Sequence, residues 1–148
     1  MSYFKSEIEE KLAHKLEILG YKLVKVGFYQ GKRRKKVELI IFSPQGVGHD
    51  DCSRVTREIM EDKELDQELG EDYVLEVSSP GIGRKLTQVG EYRIFQGQSI
   101  EFALKGQDIP RFGEIGEVGE EEVKILLRDE KEEILVTPIA NINYAKLI

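Results

Sequence analysis

Few side chains in this sequence could act as a catalytic base or nucleophile. The 148 residues include two histidines, His14 and His49, and one cysteine, Cys52. Covalent catalysis needs a nucleophile held against a base, and the pairings to consider are Ser79 or Cys52 with His49. No glycine stands two residues before Ser79, as a nucleophile elbow requires. We therefore expect that this protein is not an enzyme.

Four possible metal ligands stand in a row at His49, Asp50, Asp51 and Cys52. Consecutive residues at the start of a helix point in different directions and cannot all converge on one ion. Capping of a helix by an aspartate and burial of the cysteine explain the same residues. The glycine-rich segments also lack the spacing of nucleotide-binding loops. We expect no metal, no cofactor and no small-molecule substrate.

A run of five cations stands out in a chain whose net charge is −6. A strand pattern precedes the run at residues 21–29 and another follows it at 37–42, so the run predicts the tip of a hairpin. Such a tip can contact nucleic-acid phosphates, although it can also be a solvated turn, and no aromatic residue interrupts the run to stack on bases. We favour RNA contact without sequence specificity. The residues are Lys32, Arg33, Arg34, Lys35 and Lys36.

The first half of the chain predicts mixed helices and strands. An amphipathic helix ends at Gly20, two strands enclose the basic run, a second helix begins at Asp50 or Asp51, and residues 73–77 form a third strand. This αββαβ order is that of KH-type RNA-binding modules, although the GXXG loop of those modules is missing here. The apolar stripe of the first helix consists of Phe4, Ile8, Leu12, Leu16 and Leu19.

The second half predicts a small β-domain. From Ser99 onward, five short β-type runs alternate with glycine-rich or charged turns, which is typical of a small SH3-like barrel. We therefore predict an α+β protein with an N-terminal KH-like domain at residues 1–88 and a C-terminal SH3-like domain at 89–148. Residues 1–85 carry 15 basic and 16 acidic groups, and residues 86–148 carry 7 and 12.

The acidity of the second half suggests a basic protein partner. A GXXG segment of the second half, residues 116–119, lies among glutamates that would repel phosphate, so we interpret it as a turn between strands. Ribosomal proteins are the commonest very basic proteins of a bacterial cell. An acidic surface that only increases solubility is an equal alternative.

The segment Ser78, Ser79, Pro80 and Gly81 should end the third strand. Proline cannot continue strand pairing, Gly81 permits a positive φ, and the hydroxyls can cap the next short helix. A structural role and a binding role are both open for this turn.

The chain also indicates where the protein works. No apolar run approaches the roughly 18 residues of a membrane span, and acidic residues stand where a signal peptide would be apolar. One cysteine permits no internal disulfide, which agrees with a reducing compartment. We expect a cytoplasmic protein without membrane contact, and a monomer.

Three segments together resemble one known family. They are residues 19–26 (LGYKLVKV), 50–52 (DDC) and 73–81 (YVLEVSSPG), the last followed by Arg84, and they resemble the bacterial RimP ribosome maturation factors. That family usually has Asp-Arg-Pro where this chain has Gly83, Arg84 and Lys85. The departure makes any family role of Arg84 less secure.

The resemblance implies a KH-like domain followed by an SH3-like barrel. It also implies a non-catalytic factor that assembles the small (30S) ribosomal subunit. The implied partners are the immature subunit, through ribosomal RNA, and a basic ribosomal protein near the decoding centre. A free-standing RNA-binding regulator of messages is the alternative that the basic run alone could support.

Overall fold

A computed structural model describes residues 6–107, 109–128 and 132–148. The chain is α+β and forms two compact units, Met1–Pro80 and Gly81–Ile148. The first unit combines helices with a three-stranded sheet, and the second is mainly a five-stranded sheet. The proposed domain boundary at residue 88 stays a prediction.

The first unit contains three helices and three strands. In chain order they are α1 (Glu7–Leu19), β1 (Lys22–Gln30), β2 (Lys35–Phe42), α2 (His49–Glu61), α3 (Lys63–Leu69) and β3 (Tyr73–Ser78). The sheet order is β1-β2-β3, with β2 antiparallel to β1 and parallel to β3. The order is therefore αββααβ, and the prediction of a single helix between β2 and β3 was wrong.

Hydrophobic periodicity does not reveal helix α3, because this helix is short and acidic. Leu65 and Leu69, one turn apart, are its buried residues. Asp62 ends α2 and begins α3, and its carboxylate accepts a hydrogen bond from the Leu65 amide at 3.2 Å. An aspartate at this position is a standard helix N-cap.

The three helices of the first unit pack on one face of its sheet. The stripe predicted for α1 is confirmed at Leu12 and Leu16, which are fully buried. Phe4 lies outside the described residues. Successive strand residues point to opposite faces, so along β2 the core takes the alternate residues Val37, Leu39 and Ile41. The buried core of this unit is Leu12, Leu16, Tyr21, Leu23, Val37, Leu39, Ile41, Val55, Ile59, Leu65 and Leu69.

The second unit begins with a short helix, which was expected after the Ser-Ser-Pro-Gly turn but without defined bounds. It contains α4 (Val89–Ile94), β4 (Ser99–Leu104), β5 (Arg111–Val118), β6 (Glu122–Arg128), β7 (Glu132–Pro138), a 3₁₀ turn (Ile139–Asn141) and β8 (Ile142–Leu147). All five predicted strands are confirmed. They form an antiparallel sheet in the order β7-β6-β5-β4-β8.

The core of the second unit lies between α4 and this sheet. Tyr92 and Phe95, at the end of α4, are almost fully buried. Along β6, buried and exposed residues alternate strictly, which places Val123, Ile125 and Leu127 inside. That alternation is what a strand with one solvated face produces. Burial of Tyr92 raises the pKa of its phenol to about 12.

Candidate nucleic-acid interface

The basic run lies at the β1–β2 hairpin, as predicted, but only part of it forms the loop. Cross-strand pairing reaches Gln30 and Lys35, so the turn consists of residues 31–34. The Gly31 amide closes the turn by donating to the Arg34 carbonyl at 2.9 Å. Lys35 and Lys36 belong to strand β2.

The three turn cations, Lys32, Arg33 and Arg34, are exposed to solvent. Within the described part of the chain, none of them forms an ion pair within 4.0 Å. We call these three residues the tip cations. Arg34 also borders an open groove of about 690 Å³ that includes Asp66, Glu71 and Asp72 among its lining residues.

Lys36 is held by carboxylates of the sheet. Its ammonium lies 2.8 Å from Oε2 of Glu76 on β3 and 3.9 Å from Oε2 of Glu38. The hydrogen bond to Glu76 raises the pKa of Lys36. Because the nearby carboxylates already balance its charge, Lys36 should attract a phosphate less strongly than the tip cations do.

An aromatic residue stands beside the basic run across the hairpin. Tyr29 on β1 pairs with Lys36 on β2, and the Lys36 ammonium lies 6.0 Å from the centre of the Tyr29 ring. Tyr29 lies outside the basic run, so the residues of the run alone do not reveal this neighbour. The hairpin register brings the two together, and counting outward from Gly31 and Arg34 could have found the pair.

The second predicted site is the turn formed by Ser78, Ser79, Pro80 and Gly81. Ser78 is the last residue of β3, and the first unit ends at Pro80. The positive φ expected at Gly81 occurs instead at Gly83, where φ is 86°. Glycine adopts this conformation without steric cost. In the described chain, the hydroxyls of Ser78 and Ser79 do not cap α4, because the N-cap of this helix is Gln88.

Arg84 contacts a buried carboxylate within the second unit. Nη2 of Arg84 lies 3.1 Å from Oε2 of Glu91, whose residue is only 4% exposed. Oε1 of Glu91 accepts hydrogen bonds from the Thr87 amide and hydroxyl and from the Gln88 amide, at 3.1 to 3.3 Å. Arg84 therefore stabilises the start of α4, which is a structural role for this residue.

The two histidines and the cysteine lie on helices α1 and α2 of the first unit. His14 is exposed on α1, and His49 is exposed at the start of α2. Cys52 lies beside His49 in an open groove of about 650 Å³ between α2 and β3. Burial raises the pKa of the Cys52 thiol, so the unreactive thiol form predominates at neutral pH.

The four consecutive ligand types at residues 49–52 serve the fold. Asp51 accepts a hydrogen bond from the Tyr21 hydroxyl and another, at 2.8 Å, from the Gly48 amide. The Tyr21 hydrogen bond, followed by that of Gly48, lowers the pKa of Asp51. No group of three or more His, Cys, Asp or Glu side chains is placed to hold a metal ion within residues 6–107, 109–128 and 132–148.

The acidic part of the second unit lies at the β5–β6 connection. Gly116, Glu117 and Val118 are in β5, and Gly119 begins the turn, so the interpretation of the GXXG segment as a turn was wrong for its first three residues. Glu114 and Glu117 are paired with Arg128 and Lys124. Three further glutamates, together with Pro138, line an open groove of about 340 Å³. They are Glu120, Glu121 and Glu122.

No helix in the described ranges is both long and apolar enough to cross a membrane.

Comparison with protein-family models gives one match that covers the first unit from within α1 to just past the Ser-Ser-Pro-Gly turn. Residues 11–83 match the model described as the RimP N-terminal domain.

Proposed function

This chain belongs to the RimP family of ribosome maturation factors, and we propose that it binds the immature small ribosomal subunit and assists its assembly without catalysing a reaction. Assembly of the subunit takes place in the cytoplasm, and we place the protein there as a monomer. The family match supports this role.

The observation that carries the RNA contact is the charge of the hairpin tip. Lys32, Arg33 and Arg34 project from a turn in an acidic chain and have no carboxylate partner within 4.0 Å among the described residues. Cations of this kind bind phosphates by releasing the counterions of the nucleic acid, whatever its sequence. We propose that the tip cations and the exposed Lys35 bind ribosomal RNA, and that Lys36 supports the hairpin.

We propose a KH-like fold for the first unit. Its support is a β1-β2-β3 sheet with helices packed on one face. The unit has no GXXG loop, so we place the RNA on the hairpin. For the second unit we propose an SH3-like barrel, supported by five short antiparallel strands. Domains at residues 1–88 and 89–148 remain part of this proposal.

A second contact is proposed for the acidic connection of the second unit. Glu120, Glu121 and Glu122 are exposed and border one groove. Like charges at this density repel phosphate and attract cationic side chains. We propose that this surface takes a basic ribosomal protein near the decoding centre. For the turn at Ser78, Ser79, Pro80 and Gly81 we propose a structural role, together with Arg84.

Depletion of the protein from cells that produce it tests this function. We expect incomplete small subunits to accumulate in a sucrose gradient, with large subunits unaffected. The wild-type chain should restore the profile, and a variant with Lys32, Arg33 and Arg34 changed to glutamate should not. A normal subunit profile with altered levels of particular messages would contradict the assembly role and favour a free-standing RNA regulator.

A further inference from the structure

We propose that Tyr29 is a stacking site for an unpaired base of single-stranded RNA, on the sheet face that carries no helix. This inference rests on the proposed RNA contact and adds the class of ligand. It assigns the phosphates of the strand to the tip cations and one of its bases to Tyr29.

The position of Tyr29 follows from the register of the hairpin. Phe28 pairs with the core residue Val37, so Phe28 points toward the helices, whereas Tyr29 pairs with Lys36 and points to the opposite face. Both aromatic side chains are nearly half exposed, Phe28 at 45% and Tyr29 at 47%. A large aromatic side chain on the open face is thus available to a ligand.

A glycine lets the Tyr29 ring lie close to the sheet. A Cβ at Gly27 would come within 2.6 Å of Cε2 and 2.7 Å of the hydroxyl oxygen of Tyr29. The ring therefore extends back along its own strand, over the one residue that has no side chain. This support restricts the ring, so less conformational entropy is lost when a base stacks on it.

The charges around the ring favour a base with phosphates to one side. Next to Tyr29, the ammonium of Lys36 is balanced by Glu76 at 2.8 Å and Glu38 at 3.9 Å. These three side chains leave no excess positive charge to hold a phosphate at the ring, whereas an uncharged base can approach without repulsion. The tip cations begin three residues further along the chain, at Lys32, where the phosphates flanking that base can be bound.

The geometry selects an unpaired strand. A base within a duplex has both faces covered by its neighbours, whereas a base of a single strand or loop can stack on an aromatic side chain. Tyr29 should therefore contribute to the binding of single-stranded RNA and contribute nothing to the binding of a duplex.

The test measures the affinity of the full chain for two probes. One is a labelled RNA of about 12 nucleotides, and the other is the same RNA annealed to its complement. We expect Tyr29→Leu to weaken single-strand binding about tenfold, because this factor lies within the range that base stacking on an aromatic side chain contributes. Duplex binding and the salt dependence should be unchanged, since no charge is removed.

Two matched variants control for folding and for the chemistry of the ring. Tyr29→Phe keeps the ring and should bind the single-stranded RNA with an affinity within about twofold of that of the wild type. Phe28→Leu removes a neighbouring aromatic residue of similar exposure on the other face and should also bind normally. Thermal unfolding of each variant should match that of the wild type.

The outcomes separate this inference from the proposed function. Normal single-strand binding by Tyr29→Leu, with binding lost when the tip cations are replaced, overturns the stacking site and leaves the RNA contact in place. Equal loss of single-strand and duplex binding by Tyr29→Leu overturns the selection of an unpaired base. Failure of the wild type to bind either probe overturns both proposals.

Discussion

The ammonium of Lys36 lies 2.8 Å from a carboxylate oxygen of Glu76, across the parallel β2–β3 pair. The same ammonium is 3.9 Å from Glu38 on its own strand. Of the five consecutive cations, this one is therefore neutralised within the sheet, whereas the tip cations form no such pair in the described chain. Position in the hairpin therefore separates the exposed tip cations from Lys36, which is paired within the sheet.

The first prediction follows from this division. Replacing Lys32, Arg33 and Arg34 with alanine should reduce the slope of log affinity against log salt by about 2, because each phosphate contact in single-stranded RNA contributes about 0.7. Lys36→Ala should change the slope by less than half of one contact, about 0.3. Fluorescence anisotropy over a salt series measures both, and a larger change for Lys36→Ala would place the contact in the sheet.

The second prediction concerns the junction of α2 and α3. Asp62 caps α3 and also pairs with Lys15 on α1 at 3.2 Å. Asp62→Ala should lower the free energy of unfolding by about 1 to 2 kcal/mol, which is the usual cost of losing an N-cap. Asp62→Asn keeps a capping oxygen and should cost clearly less. Urea denaturation of the two variants measures the difference, and equal losses would assign the effect to the Lys15 pair.

The third prediction assigns Arg84 a structural role. Glu91→Ala would leave a largely buried guanidinium without its partner, in a residue whose Nε already has no hydrogen-bond partner in the described structure. The expected loss is about 3 kcal/mol of unfolding free energy. Glu91→Gln, which keeps acceptors for Thr87 and Gln88, should cost less. Unchanged stability in Glu91→Ala, measured by urea denaturation, would show that the pair does not stabilise α4.

The fourth prediction concerns acid stability. The pKa of Asp51 is lowered in the folded state, mainly by the Tyr21 hydroxyl. A carboxyl with a lowered folded pKa stabilises the fold above its unfolded pKa of about 4, and this contribution is lost as the pH falls through the folded value. Tyr21→Phe should be less stable than the wild type near neutral pH.

The stability of Tyr21→Phe should also depend less on pH than that of the wild type at the acid end of the range. Urea unfolding at a series of pH values below about 5 should show the two stability curves converging as Asp51 becomes protonated. Curves that remain parallel down to the acid limit would show that the Tyr21 hydroxyl does not act through the ionisation of Asp51.

The fifth prediction concerns the thiol. Because burial raises the pKa of Cys52, alkylation by iodoacetamide at neutral pH should be slower than that of a small free thiol. His49→Ala and Cys52→Ala should both retain full function in cells depleted of the native protein. Rapid alkylation, together with loss of function in either variant, would restore the enzymatic alternative.

Much of the fold is predictable from hydrophobic periodicity. The α1 stripe and the alternating strands place the residues that the structure buries, such as Leu12, Leu16 and Val123. Helix α3 is missed, and the bounds of α4 are not predicted, because seven and six residues are too few to show a helical stripe. Their stability comes from tertiary packing of a few apolar residues and from capping by Asp62 and Glu91.

The candidate site is only partly predictable. The residue types identify a cationic hairpin, because charge can be counted along the chain. The division between tip cations and Lys36 depends on Glu76, which is forty residues away in sequence and adjacent in the sheet. The same holds for Tyr29, which reaches Lys36 through the register, and for Arg84, whose partner Glu91 depends on α4. Contacts between strands can be predicted only when the order and register of the strands are known.

Co-sedimentation of the purified chain with immature and mature small subunits, at low and high salt, tests the central claim most directly. The wild type should pellet preferentially with the immature particle and less at high salt, and the variant with Lys32, Arg33 and Arg34 changed to glutamate should bind weakly at both. Absence of wild-type binding to either particle, or binding by this variant equal to that of the wild type, would contradict an assembly factor that contacts RNA through its hairpin tip.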